Sequence, residues 1–187
     1  MHTERKNDIR RAVIDTASRL FYKQGYANTG INQIIEESGV VKSSVYTAFR
    51  TKEDILMAYL EKTGAETDRA LQAAADEKDM PEEKVLAVFD FLIGLVQQDG
   101  YYGCQFQNII SEIPLDAERV IQQIQKQKDN VRRLFVNILE PAGKAELADQ
   151  MYLLFDGALI ANKVYKAVWP VVTARDLAFE LLDRYEY

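Results

Sequence analysis

Thr29-Gly-Ile-Asn-Gln-Ile-Ile-Glu-Glu-Ser-Gly39-Val-Val-Lys-Ser-Ser-Val-Tyr46-Thr-Ala-Phe49-Arg-Thr-Lys52-Glu-Asp-Ile-Leu56 is the stretch that organises the rest of the chain. Ile31, Ile34 and Ile35 form an apolar stripe at helical spacing, which predicts a short helix over Ile31–Ser38, with Thr29 as its cap and Gly39 as its end. Val45 and Phe49, four apart, share one face of a second short helix over Lys42–Phe49, so Lys42, Ser43, Tyr46 and Thr47 point elsewhere. Thr51 and Asp54 then have the spacing of a capping box that opens a longer helix. Two short helices joined by a tight turn suit a helix-turn-helix, whose second helix enters the major groove of DNA. Short helix pairs are common, however, and the same apolar residues also serve as the core of a small helical subdomain.

Outward from this stretch the pattern stays helical. Ile9, Val13, Ala17, Leu20 and Phe21 mark a helix over about 8–24, ended by Gly25. Beyond residue 62 the helices lengthen: the fourth continues to about 75, Pro81 opens a fifth, and a sixth lies near Cys104–Glu112. A seventh follows at about 116–139, with a polar waist at Gln125–Asn130. An eighth spans about 144–167, and Pro170 separates it from a ninth at about 174–186. The expected fold is all-α, with nine helices: a three-helix DNA-binding domain over 1–50, then a sensing and dimerisation bundle over 51–187, connected by the fourth helix.

Composition supports this reading. Of 187 residues, 48% are hydrophobic and only 9 are Gly and 4 Pro, too few turn formers for a sandwich or barrel. The single cysteine, Cys104, and single histidine, His2, exclude an intrachain disulfide, a HExxH pair, a histidine-containing triad and a multi-thiolate metal site. Adjacent pairs such as Glu36-Glu37 point about 100° apart on a helix and do not converge as acid and base. No enzyme, cofactor or metal is therefore expected. The N-terminus lacks the apolar run of a signal peptide and no run approaches a membrane span, which points to the cytoplasm. Net charge is −6, but residues 1–62 carry +2 and the remainder −8, so only the N-terminal third favours phosphates.

The Thr29–Leu56 stretch closely resembles the N-terminal domain of TetR-family transcriptional regulators. The likeness lies in a Thr before the second helix, a Gly-Val turn, a Lys-small-small-aliphatic-Tyr recognition helix, a Phe, and a Lys-Glu pair opening the fourth helix. Upstream, Leu20-Phe21-Tyr22-Lys23-Gln24-Gly25-Tyr26 is similar to that family's first-helix end. The resemblance implies phosphate contacts from Thr29, Tyr46 and Lys52, which position without reading sequence. Lys42, Ser43, Ser44 and Thr47 become candidates for base edges or nearby phosphates. Arg5, Lys6 and Arg10 suggest a basic arm, or equally an ordinary solvated helix end. Val41, Ile35 and Ala48 depart from the family pattern, at positions where a capping Ser, a small residue and a phosphate-contacting His are usual.

The same resemblance implies a homodimeric, effector-responsive repressor on a palindromic operator. The dimer would form through Leu147, Met151, Leu154, Phe155, Ala158 and Leu159 with Leu177, Leu181, Leu182 and Tyr185, although such stripes also suit an intramolecular core. Candidate effector-lining residues are Phe89, Phe91, Tyr101, Tyr102, Phe106, Ile109, Ile110, Phe155, Tyr165 and Trp169, against the plainer role of aromatic core. Gly103-Cys104-Gln-Phe-Gln-Asn resembles the sixth-helix start of a subgroup that senses electrophiles and oxidants. In that subgroup a Lys on the eighth helix can lie near the thiol, and Lys163 matches it. A reversible apolar or aromatic pocket ligand, with Cys104 as an inert buried residue, is the alternative. A non-regulatory DNA-binding protein is a more remote one, disfavoured by the acidic C-terminal two-thirds.

Overall fold

The computed structural model describes residues 2–184, with side chains from residue 6 onward. The Arg5 side chain and Tyr185 fall outside these described residues. Among them there are nine α-helices and no strand: α1 His2–Gln24, α2 Ile31–Ser38, α3 Lys42–Ala48, α4 Lys52–Asp76, α5 Pro81–Val96, α6 Gln105–Ile110, α7 Glu118–Leu139, α8 Ala148–Tyr165 and α9 Trp169–Arg184. Two single 3-10 turns, Glu140–Ala142 and Ala145–Leu147, lead from α7 into α8. The all-α expectation of nine helices holds. No helix among the described residues is long and apolar enough to cross a membrane.

Boundaries follow local chemistry. The Asp54 amide donates to Thr51 Oγ1 at 3.1 Å and the Thr51 amide donates back to Asp54 Oδ2 at 3.1 Å, the reciprocal capping box expected at the start of α4. Gly39 closes α2 in the left-handed region at φ 65°, its amide donating to Glu36 O. Three expectations change. α1 begins six residues earlier than periodicity suggested, because nothing in that segment stops a helix. α9 starts at Trp169, since Pro170 sits in its first turn, where a missing N–H costs nothing. Thr29 does not cap α2; Gly30 occupies that position.

The chain divides into two compact units. One comprises the chain through Gly64 together with Gln105–Ile124; the other comprises Ala65–Cys104 and Gln125–Tyr187. The partition is discontinuous, unlike a single cut at residue 50. In the first unit, Val13, Ala17, Leu20 and Phe21 of α1, Ile34 of α2, Val45 of α3 and Ile55, Leu56 and Tyr59 of α4 are all buried. Phe21 packs edge-on against Tyr26 and Tyr59, with ring centroids 5.2 and 5.6 Å away. The second unit has its own apolar core from α5, α7, α8 and α9, centred on Phe89, Phe135 and Phe155, whose rings lie 5.9–6.4 Å apart.

Candidate nucleic-acid interface

Burial of Val45 and Phe49 fixes which side of α3 faces outward. Lys42, Ser43, Tyr46 and Thr47 are exposed and Ser44 is half-buried, so α3 presents a continuous polar row. The Thr47 hydroxyl donates to Ser43 O at 2.8 Å, an intrahelical bond that a base or phosphate would have to replace or share. At the N-terminus of α3, Val41 is 70% exposed and offers no side-chain cap. Its C-terminus is held instead by Arg10, whose Nη1 donates to Ala48 O at 2.9 Å while the guanidinium lies 4.3 Å from the Phe49 ring centroid. Arg10, expected as part of a basic arm, is thus turned inward onto α3. Lys6 remains exposed.

Two of the expected phosphate contacts have internal roles. Thr29 is 0% exposed, and its hydroxyl donates to Gly25 O at 2.7 Å and accepts from Gln24 Nε2 at 3.2 Å. Lys52 Nζ donates to Tyr26 O and Thr29 O, both at 2.9 Å, and sits 4.0 Å from the Tyr26 ring centroid. Burial pulls the Lys52 pKa below its ordinary value, with Glu112 acting in the opposite sense. Burial likewise raises Tyr26, helped by the negative charge of Glu53. Both side chains therefore fasten the α1–α2 turn; they do not stand out towards a duplex.

Two residues that short-range patterns gave no reason to select complete this unit. Glu112 Oε2 accepts the Ala27 amide at 2.8 Å, across 85 residues of sequence. Arg119 Nη1 donates to Asp54 Oδ1 at 2.8 Å and reaches Glu53 at 3.5 Å. The Arg119 hydrogen bond, ahead of the capping bonds from Thr51, holds the Asp54 carboxyl below its ordinary range.

Cys104 lies in the other unit, half-buried. The ammonium beside it belongs to Lys128, with Nζ 3.7 Å from Sγ, and the same ammonium is hydrogen-bonded to Asp156 Oδ1. Lys163, expected in that place, is exposed in the last turn of α8. Burial alone would lower the Lys128 pKa; negative charge at Cys104 and Asp156 outweighs it, and the net direction is upward. Tyr152 is raised, first by burial and then by Asp156. Of the aromatic candidates, Phe155 is built into the core with Phe89 and Phe135, against which Cys104, Phe91 and Tyr101 pack; Phe106 is buried in the first unit, and Tyr102 is exposed. A shallow cleft of about 190 Å³ in the second unit is lined by Asp68, Gln72, Asn130 and Arg133, with Leu71 and Leu134 among its apolar walls.

Residues 13–59 match the family model of the tetR family of bacterial regulatory proteins. The regulator YjdC of Escherichia coli is 29% identical over 178 residues, covering 92% of this chain and 93% of YjdC. The chain carries the N-terminal domain of TetR-family regulators, and the relatives it matches are transcriptional regulators. YxaF of Bacillus subtilis, an HTH-type transcriptional regulator, is 40% identical over 81 residues, which is 43% of this chain and 42% of YxaF, so the alignment spans less than half of that relative. The TetR fold extends further than those identities. Reduced NemR of E. coli superposes with a TM-score of 0.83 at 22% identity, covering 91% of this chain and 95% of NemR. A TetR regulator of Chloroflexus aurantiacus gives 0.84 at 17% identity, covering 96% of each chain. These relatives are regulators, not enzymes.

Dimers are typical of TetR regulators, and the structure redistributes the residues expected to form one. Leu147, Met151, Phe155, Ala158, Leu159 and Leu182 are buried in the unit's own core, the intramolecular use that their spacing also allowed. Leu177 of that set does face outward, and further outward-facing apolar residues are Leu153, Ile160 and Val164 on α8, with Val172 and Phe179 on α9. Leu153, Gly157, Ile160 and Val164 repeat at intervals of four, three and four, the spacing of one helical stripe. Nothing lies within 4 Å of a Cβ placed on Gly157.

Proposed function

We propose that this TetR-family protein is a cytoplasmic, effector-responsive repressor that binds a palindromic operator as a homodimer, with residues 1–50 reading DNA and 51–187 sensing and dimerising. The observation that carries the reading is α3, which buries Val45 and Phe49 and turns Lys42, Ser43, Tyr46 and Thr47 outward in one row. Lys42, Ser43, Ser44 and Thr47 meet base edges and neighbouring phosphates, and Tyr46 donates to a phosphate oxygen. Thr29 and Lys52 serve the interface indirectly, by holding the turn before α2. A second copy covers the exposed stripe of Leu153, Gly157, Ile160 and Val164, which pairs the two recognition helices across adjacent half-sites.

Release follows modification of Cys104. The sulfur is half-exposed and lies 3.7 Å from the Lys128 ammonium, which leaves it accessible to an electrophile with a cation beside it. With N-ethylmaleimide, sulfur bonds to one alkene carbon and the other takes up a proton. With hydrogen peroxide, the thiol takes up one peroxide oxygen to become sulfenic acid as the other leaves as water. Either product adds bulk or polarity one residue before α6 and disturbs the Lys128–Asp156 pair.

Footprinting on DNA flanking the protein's own gene, with and without N-ethylmaleimide, tests both parts. A palindromic footprint lost on alkylation, and retained by Cys104→Ser exposed to the same reagent, is the expected result. Sequence-independent binding would sink the operator reading. Equal loss of the Cys104→Ser footprint would remove the cysteine from sensing, and a small apolar molecule that releases both proteins equally would transfer that role to a reversible ligand.

A further inference from the structure

The first compact unit contains more than a helix-turn-helix. Residues Gln105–Ile124, covering α6 and the first turns of α7, cluster with it and not with the chain on either side of them. Two side chains anchor this excursion, and they do so at the two ends of the α2–α3 pair. Glu112 reaches the turn that leads into α2, and Arg119 reaches Asp54, just beyond the end of α3. Asp54 Oδ2 in turn accepts the amides of Arg50 and Thr51, the residues that leave α3.

The Glu112 seat is built into the chain. A carboxylate near the C-terminal end of a helix meets the negative end of its dipole and requires compensation. Here the Ala27 N–H supplies a hydrogen bond, and the Lys52 ammonium, fixed to the carbonyls of Tyr26 and Thr29, supplies positive charge in the same turn. Room is supplied by Gly25, at φ +92°: a Cβ there would lie 2.9 Å from Glu112 Oε2 and 3.0 Å from Oε1. The glycine thus meets two demands at once, a left-handed backbone and a hollow the size of a carboxylate.

We propose that Glu112 is a positioning residue of the DNA-binding unit, fixing through the Ala27 N–H the turn from which α2 and α3 take their orientation. The inference rests on the DNA-binding reading above. Glu112 touches no nucleic acid itself. Without its bond the Ala27 amide turns to solvent, the 25–29 turn relaxes, and the outward row of α3 loses its register against the duplex while its charges remain.

Full-length Glu112→Ala and Glu112→Gln are compared with the parent on the fragment located by footprinting and on an unrelated duplex of equal length. Glu112→Ala weakens operator binding about tenfold and leaves binding to the unrelated duplex within about twofold, because non-specific binding depends on the number of phosphates neutralised. Glu112→Gln, whose amide oxygen still accepts from Ala27, stays within about twofold of the parent on both. If Glu112→Ala fails to fold, as judged by far-UV circular dichroism, Glu112→Asp, one methylene too short to span the gap, replaces it with the same expectation. Operator binding unchanged in the Ala or Asp variant, an equal loss on both duplexes, or a Gln variant as weak as Ala would each overturn the proposal. A parent protein that footprints nowhere would instead overturn the DNA-binding reading.

Discussion

Two regions of this molecule each draw a lysine ammonium out of solvent, and they do so in opposite ways. In the α1–α2 turn, Lys52 is bound by two neutral carbonyls and the face of Tyr26, and its pKa falls because burial dominates. In the second unit, Lys128 is bound by the Asp156 carboxylate beside the Cys104 sulfur, and its pKa rises because anionic partners outweigh burial. Neutral acceptors satisfy the ammonium's donors without repaying the loss of hydration in full; anions repay it and then depend on the cation in return. The first arrangement fastens a turn. The second sets one ammonium between a carboxylate and a thiol, which suits a region proposed to respond to chemistry.

The contrast is most exposed to Asp156→Ala, which strands the Lys128 ammonium. We expect a loss of about 2–3 kcal/mol in urea unfolding, below the range for a fully buried pair because both side chains retain some exposure. An unchanged midpoint would show that the ammonium finds other partners and that the coupling is weak. Lys52→Met should cost about 1–2 kcal/mol, through two lost hydrogen bonds and the aromatic contact, together with weaker operator binding although Lys52 faces inward. Full binding with lowered stability would separate the turn from recognition. Thr51→Ala, at the capping box shared with Asp54, should cost about 1 kcal/mol by thermal or denaturant unfolding.

The smallest effect is a difference in slope at alkaline pH. Lys128, raised in the folded state, contributes stability that is fully present below the ordinary lysine value of 10.5 and lost as pH rises through its folded value. Lys52, lowered in the folded state, gives stability that increases as pH rises from its folded value towards 10.5. The stability gap between the parent and Lys128→Met should therefore narrow with rising pH, and the gap between the parent and Lys52→Met should widen. Parallel curves would show that the two environments are not opposed.

Short-range chemistry made much of this legible. The α2 limits, the Gly39 end and the Thr51–Asp54 box each depend on residues within four positions of one another, and each stands as the pattern implied. Helical spacing also told inner from outer residues on α3. It could not say which neighbouring helix supplies a partner: the subgroup resemblance implies Lys163 of α8 beside Cys104, where Lys128 of α7 stands. The pattern shows Gln125–Asn130 only as a polar waist, whereas Gln127 and Asn130 each donate to Asp68, at 2.6 and 2.8 Å, and Lys128 points to the thiol. Polar residues facing a polar cluster leave no hydrophobic signature. Thr29 does not cap α2 because Gly30 takes the N-cap position and the Thr29 hydroxyl is engaged inside the turn, donating to Gly25 O and accepting from Gln24 Nε2.

The discontinuity of the first unit bears on how such proteins can be recombined. A chimera that joined residues 1–64 to a foreign sensor would leave behind Glu112 and Arg119, and with them the partner of the Ala27 amide. The segment 105–124 would have to travel with the graft, or its replacement would have to present an acid to the hollow over Gly25. In exchange experiments the transferable module is two pieces of chain held in common, with one seam inside the fourth helix and the others on either side of 105–124.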